Sequence, residues 1–225
     1  MPNAPKLLAT ERTTIHRKPA RGSHDRALAY AILDEALYCS VGFVVEGQPF
    51  VIPMVFARWD ERLILHGAPA SRLLKLGSGG AQVCVSVTLV DGLVLARSAM
   101  HHSMNYRSVV ILGTLTELTS VDEKEQALLR VVEHALRGRS QVARPPNARE
   151  LAATRVLAMP IEEASVKQRS GGPIDDEADL SYPCWAGVLP LSLVAGRPQV
   201  DDAHPPFGSP PPELAAYQRG SGVRT

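Results

Sequence analysis

Six short runs rich in β-branched and apolar residues lie between Leu37 and Leu118, and only one stretch among them has room for a helix. Most of the core must therefore come from strands that pair with near neighbours in sequence. The runs are Leu37 to Val45, Pro49 to Ala57, Arg62 to Gly67, Ala81 to Val90, Leu93 to Ala96 and Ser108 to Leu118. Glu46-Gly47-Gln48 and Trp59-Asp60-Glu61 supply turns, and Asp91-Gly92 is the strongest short hairpin signal in the chain. Pro53 removes one ladder donor, which places its strand at an edge or a bulge. This succession points to a closed or nearly closed antiparallel barrel, a mainly β fold with peripheral helices.

Helical periods frame the strands. Ser23 or Asp25 can cap a helix running to about Ala36, and Ala70 to Leu76 forms a helical turn directly after the third strand. Beyond Ser120, Ala127, Leu128, Val131, Val132, Ala135 and Leu136 make one apolar stripe, expected to lie across the barrel. Asn147 can cap a short helix from Ala148 to Thr154, and Arg155 to Met159 reads as a last core strand. The chain of 225 residues is thus expected to hold one domain over 21–196, after an extended lead-in over 1–20 and before a Pro-rich flexible tail over 197–225.

Charge and composition narrow the partners. Lys+Arg (24) nearly balances Asp+Glu (23), so no global field favours nucleic acid or an anionic membrane, and any anion site must be local. Aromatic residues are 5% of the chain, too few for a base-stacking surface. Cys39, Cys84 and Cys184 are widely spaced in apolar contexts and fit buried thiols of a cytoplasmic protein. Neither a secretory signal nor an apolar run of about 20 residues is present, so no membrane span is expected.

The chemistry concentrates in two places. From Arg97 to Leu118 a polar cluster containing His101, His102, Ser103, Asn105, Tyr106, Arg107 and Ser108 runs into an apolar strand, an arrangement that suits an anionic, planar ligand. Tyr106 and Arg107 by themselves also read as an ordinary surface pair. Ser71 and Arg72 open a helix straight after a strand, where phosphate can sit; the same residues fit equally a plain helix cap and a solvated cation. Gly77-Ser78-Gly79-Gly80 lacks the Lys-Ser/Thr ending of a phosphate loop and follows the helix, so it is not one. His101-His102 point to opposite faces of a strand with no partner at ligand spacing, hence no metal site is expected. No GxSxG elbow supports a hydrolase triad.

Three blocks carry a resemblance: GQPFVIPMVFARWDERLILHGAPASRLLKL, then TLVDGLVLARSAMHHSMNYRSVVILG, then the KQRSGGP and CWAG segments. They resemble the flavin-nucleotide-binding proteins related to pyridoxamine 5'-phosphate oxidase, including the 5-nitroimidazole reductases, over roughly Arg17 to Pro190. The resemblance implies a six-stranded antiparallel FMN-binding split barrel, usually a homodimer with two flavin sites at the interface. It implies that Val51, Ile52, Pro53 and Met54 flank the flavin ring, that His66 and Gly67 end the strand beside it, and that Ser71 and Arg72 hold the phosphate. Ser108 stands where the oxidases carry a glutamine, Trp185 resembles their tryptophan near the flavin, and Asn105, Tyr106 and Arg107 complete that edge. Leu73 replaces one member of the usual basic doublet, so the phosphate would draw on Lys167 or Arg169 of a second subunit. After Trp185 the chain reads AGVLPLSLVAG in place of the Arg-x-His motif for pyridoxamine phosphate, so that oxidase activity is not expected. The implied function is an FMN-dependent oxidoreductase passing nicotinamide electrons to a small oxidised or nitro-containing acceptor, with His66 as proton donor. The alternatives are a non-catalytic flavin-binding module for storage or sensing, or a split barrel using deazaflavin or haem.

Overall fold

The computed structural model describes residues 6–200 together with Pro210, Leu214 and Tyr217. The tail expected to be flexible therefore lies largely outside the described residues. Strand β1 (Gly22–Ser23) leads into helix α1 (Arg26–Glu35), whose first turn is capped by the Asp25 carboxylate accepting from the Leu28 N–H at 2.9 Å. Then come β2 (Tyr38–Val45), β3 (Gln48–Trp59), β4 (Arg62–Gly67), α2 (Arg72–Ser78), β5 (Gln82–Leu95), β6 (Ser103–Thr114) and β7 (Thr116–Glu117). The chain continues through α3 (Val121–Ala135), α4 (Arg139–Val142), α5 (Ala148–Ala153), β8 (Arg155–Pro160), β9 (Glu163–Arg169) and β10 (Gly187–Pro190).

All ten strands join one antiparallel sheet in the order β1-β9-β6-β5-β2-β3-β4-β8-β7, with β10 added on β5. The expected count of six strands is not what the chain forms, and the hydrogen-bonded path does not close. The sheet nevertheless curls round one core. Alternate residues point inward: Cys39, Val41 and Phe43 of β2, Val83, Val85 and Val87 of β5, Val109 and Ile111 of β6, Leu157 and Met159 of β8, with Ile32 and Leu33 of α1 beside them. A second, smaller core joins Ala57, Ile64, Val156 and Ala158 on the opposite face to Ala127 and Val131 of α3, as the apolar stripe of that helix requires.

Two stretches of the chain differ from their local signals. The expected hairpin at Asp91-Gly92 is absent, because β5 runs straight through it and only shifts register between Val90 and Gly92. Glycine is needed there for another reason: a Cβ would stand 3.0 Å from the Leu189 carbonyl oxygen, where β10 crosses. The lead-in is also more tied down than an extended arm, since Leu7 is buried and Leu8 bridges Glu163. Pro53 behaves as its chemistry demands. It lies opposite Ser40 of β2, while β4 pairs only with Phe56–Trp59, so locally Pro53 is at an edge.

Candidate functional site

Three elements bring the first group of expected residues together. On β3, Ile52 and Met54 pack toward the core, while Val51 and Val55 face outward at 69% and 47% exposure. His66 sits opposite Val156 and on the same outer face, since its neighbour Leu65 is in the core. The chain then turns sharply, with the Ser71 N–H donating to the Ala68 carbonyl at 2.9 Å, so α2 starts directly beside the end of β4. The Ser71 hydroxyl makes no capping bond, and the Arg72 guanidinium lies 4.4 Å above the Phe50 ring, next to Val51. No carboxylate pairs with Arg72 among the described residues.

His66 is the distinctive group here. Its Nδ1 is buried with no hydrogen-bond partner, and burial pushes the imidazole below the ordinary histidine range. A neutral ring with an unused nitrogen can donate or accept a proton, or bind a metal ion. Sequence reasoning missed the residue that braces this corner: Arg155 donates to the carbonyls of Leu74 at 3.2 Å and Pro69 at 3.4 Å, and pairs with Glu117 at 3.1 Å. No local sequence signal marks it, because its place opposite Gly67 comes from the long-range pairing of β4 with β8.

The second group lies elsewhere. Asn105, Tyr106, Arg107 and Ser108 occupy the start of β6, with Lys167 and Arg169 opposite Ser108 and Tyr106 on β9. Ser108 donates to the Lys167 carbonyl at 3.0 Å. Arg107 is fully engaged within the chain, forking onto Asp91 at 2.7 and 2.9 Å and onto Glu35, and these carboxylates raise its already high pKa. Arg169 is 8% exposed and donates to Asn105 Oδ1 and to the carbonyls of Gly171 and Gly172. Trp185 is exposed, with its ring against Gly187 at the start of β10.

One chain does not unite the two groups. From β6 to β3 the sheet steps through β5 and β2, three strand spacings or about 14 Å. An open cleft of about 760 Å3, lined by Gly42, Cys84 and Leu112, meets β6 at the end away from Asn105–Ser108 and reaches Val51 alone among the expected residues. His101, for which no metal was expected, has ligand-type atoms within 4.8 Å of Asp176 and Asp179, of which Asp176 is exposed.

A half-buried histidine with one unpartnered ring nitrogen thus lies beside a serine-arginine pair that has no carboxylate partner among the described residues. The sequence profile of pyridoxamine 5'-phosphate oxidase matches residues 25–168. The chain belongs to this family. Its members bind flavin nucleotides, so family membership carries the flavin while leaving the reaction open. Among solved structures, the flavocytochrome Anf3 from Azotobacter vinelandii is 35% identical, covers 93% of this chain and 97% of that one, and superposes with a TM-score of 0.86. The FAD- and haem-binding protein of Mycobacterium smegmatis is 32% identical over 88% of this chain and 98% of that one, with a TM-score of 0.84. A candidate 5-nitroimidazole antibiotic resistance protein from Bacteroides thetaiotaomicron shares the fold at 23% identity, over 65% of this chain and 85% of that one, with a TM-score of 0.54. Curated proteins give no match. No helix among the described residues is long and apolar enough to cross a membrane.

Proposed function

We propose that this member of the pyridoxamine 5'-phosphate oxidase family is a flavin-dependent oxidoreductase that also binds haem, taking electrons from a nicotinamide cofactor and passing them to a small oxidised acceptor. One observation carries the haem: similarity to a flavocytochrome and to an FAD- and haem-binding protein extends over 93% and 88% of the chain, well past the family match at 25–168. The flavin is FMN, as the family resemblance implies, or FAD, as in the mycobacterial protein; both share the ring and the first phosphate.

The residues fit such groups. Ser71 and Arg72 offer an uncommitted hydroxyl and guanidinium for the phosphate, and the exposed Val51 and Val55 offer an apolar bed for the ring. Asn105 and Ser108, about 14 Å away across the sheet, together with Lys167 of the next strand out and Trp185, reach the same flavin from a second copy, so the functional unit is a homodimer. Arg107 then acts by holding its edge in shape. For haem, an axial ligand requires an imidazole nitrogen not already engaged, and His24, His66 and His101 each keep one buried and unpartnered. When bound, the flavin supplies two-electron chemistry and the haem one-electron chemistry.

The experiment is to load the purified chain with FMN, FAD and haemin separately, then mix it anaerobically with NADH or NADPH and a panel of nitroaromatics and quinones. Flavin bleaching by a nicotinamide and recovery on one acceptor are expected, with slower recovery in His66→Ala. A Soret band lost in one single histidine variant identifies the haem ligand. A flavin that dithionite reduces but no nicotinamide does would make the chain a binding module, and absence of any Soret shift would remove the haem.

A further inference from the structure

Beyond the flavin edge, the chain collects positive charge where the field of the whole molecule is nearly neutral. Arg17, Lys18 and Arg21, from the lead-in, converge with Arg169 at the end of β9 around a pocket of about 330 Å3 beside His101 and His102. Asp176 is the single carboxylate in that wall, and it lies 3.8 Å from His101 Nε2. Among the described residues Arg17, Lys18 and Arg21 form no ion pair. Arg169 is buried, and every acceptor it meets is neutral: the Asn105 amide oxygen and the carbonyls of Gly171 and Gly172. Four cations facing one carboxylate repel one another, and a buried guanidinium lacking a counter-charge is costly. Burial and the neighbouring Arg21 both push Arg169 below the ordinary guanidinium value. The backbone adds to the cost. Lys18 stands in the left-handed region at φ 58° directly before Pro19, a conformation that proline disfavours.

We infer that Arg17, Lys18, Arg21 and Arg169 form a second anion site, separate from Ser71-Arg72, that takes the diphosphate of a dinucleotide. Guanidinium forks match phosphate oxygens in pairs, and the pocket is at the small end of ligand-site volumes, suited to a polyanionic group and not to a whole dinucleotide. It adjoins the β6 and β9 residues of the flavin edge, because Tyr106 lies opposite Arg169 and Gly22 opposite Lys167. The site stands on its own charges; only its assignment to the flavin's or the nicotinamide's diphosphate rests on the function proposed above.

The test is calorimetric titration of the flavin-free full chain with inorganic pyrophosphate. Arg17→Ala/Arg21→Ala should weaken binding at least tenfold, the loss expected when charge-assisted contacts go, while Arg72→Ala stays within twofold of wild type. Lys18→Glu checks the same charge without touching either arginine. If the diphosphate belongs to the flavin, the double variant loses FAD affinity and keeps FMN affinity. If it belongs to the electron donor, both flavins bind normally and the half-saturating NADH or NADPH concentration rises. Either result supports the site, and pyrophosphate binding without any flavin binding separates it from the flavin reading. Unchanged affinity of the double variant and of Lys18→Glu for pyrophosphate, FAD and nicotinamide overturns it, as does a loss confined to Arg72→Ala.

Discussion

Arg107→Ala distinguishes a side chain that holds the fold from one that holds the ligand. The guanidinium of β6 forks onto Asp91 at the β5 register shift and onto Glu35 at the end of α1. With side-chain exposures of 30% for Arg107, 22% for Glu35 and 30% for Asp91, neither clamp has the strength of a buried pair. Charge-assisted bonds are worth about 1.5–3 kcal/mol when shielded and exposed pairs under about 1 kcal/mol, so each fork contributes about 1 kcal/mol and the two together about 2 kcal/mol. In a domain of this size that lowers Tm by roughly 4–8 °C. Arg107→Lys should recover less than half, because an ammonium cannot fork onto two carboxylates. Urea melts of the flavin-free protein give the stability and flavin titration gives the affinity. An unchanged melt together with a hundredfold loss of flavin affinity would refute the structural role and return Arg107 to the ligand.

Three further outcomes follow from particular contacts. Gly77→Ala should destabilise by about 1–3 kcal/mol in spite of alanine's better helix propensity, because the new Cβ would stand 2.3 Å from Leu157 Cδ1 and 3.1 Å from Leu115 Cδ1; a higher denaturation midpoint would refute this. His134, whose Nε2 donates to the Ala36 carbonyl at 2.6 Å, and His66 are both held below the ordinary histidine value of 6.5 by burial. The unfolded chain therefore binds more protons below about pH 6.5, so stability should fall with pH below that value and stay flat with respect to these groups above it; denaturant midpoints from pH 5 to 8 read the slope, and His134→Gln should reduce it. Val51→Glu, at a position 69% exposed, should shift the light-scattering mass of the homodimer proposed above toward that of a monomer while far-ultraviolet circular dichroism stays that of the wild type; a dimer that persists argues for another interface.

Much of the fold was legible where local chemistry and tertiary need agree. The third strand occupies Arg62–Gly67, where a short apolar run follows a turn, Asp25 caps α1, and Asn147 and Glu150 form the capping box of α5. The misses share a cause. At Asp91-Gly92 the local turn signal lost to pairing, since β6 holds one edge of β5 and β10 the other. Strand β10 is four residues ending in proline, with no propensity of its own to announce it. At the candidate site, the position of Ser71-Arg72 at the opening of a helix after β4 was readable from the order of the local patterns. The engagement of Arg107 was not, because its carboxylates lie 16 and 72 residues away in sequence. Nor was the gathering of Arg17, Lys18 and Arg21 onto Arg169, which depends on β1 pairing with β9.

The two-part edge of β5 also bears on synthesis. Its first half is covered by β2, which has already emerged, whereas its second half, Gly92 to Leu95, waits for Pro190 to Gly187, roughly a hundred residues later. At about 5–20 residues per second, that half of the strand is uncovered on the ribosome for about 5–20 s. The register shift between Val90 and Gly92 is the feature that discourages strand addition by a neighbouring nascent chain during that interval.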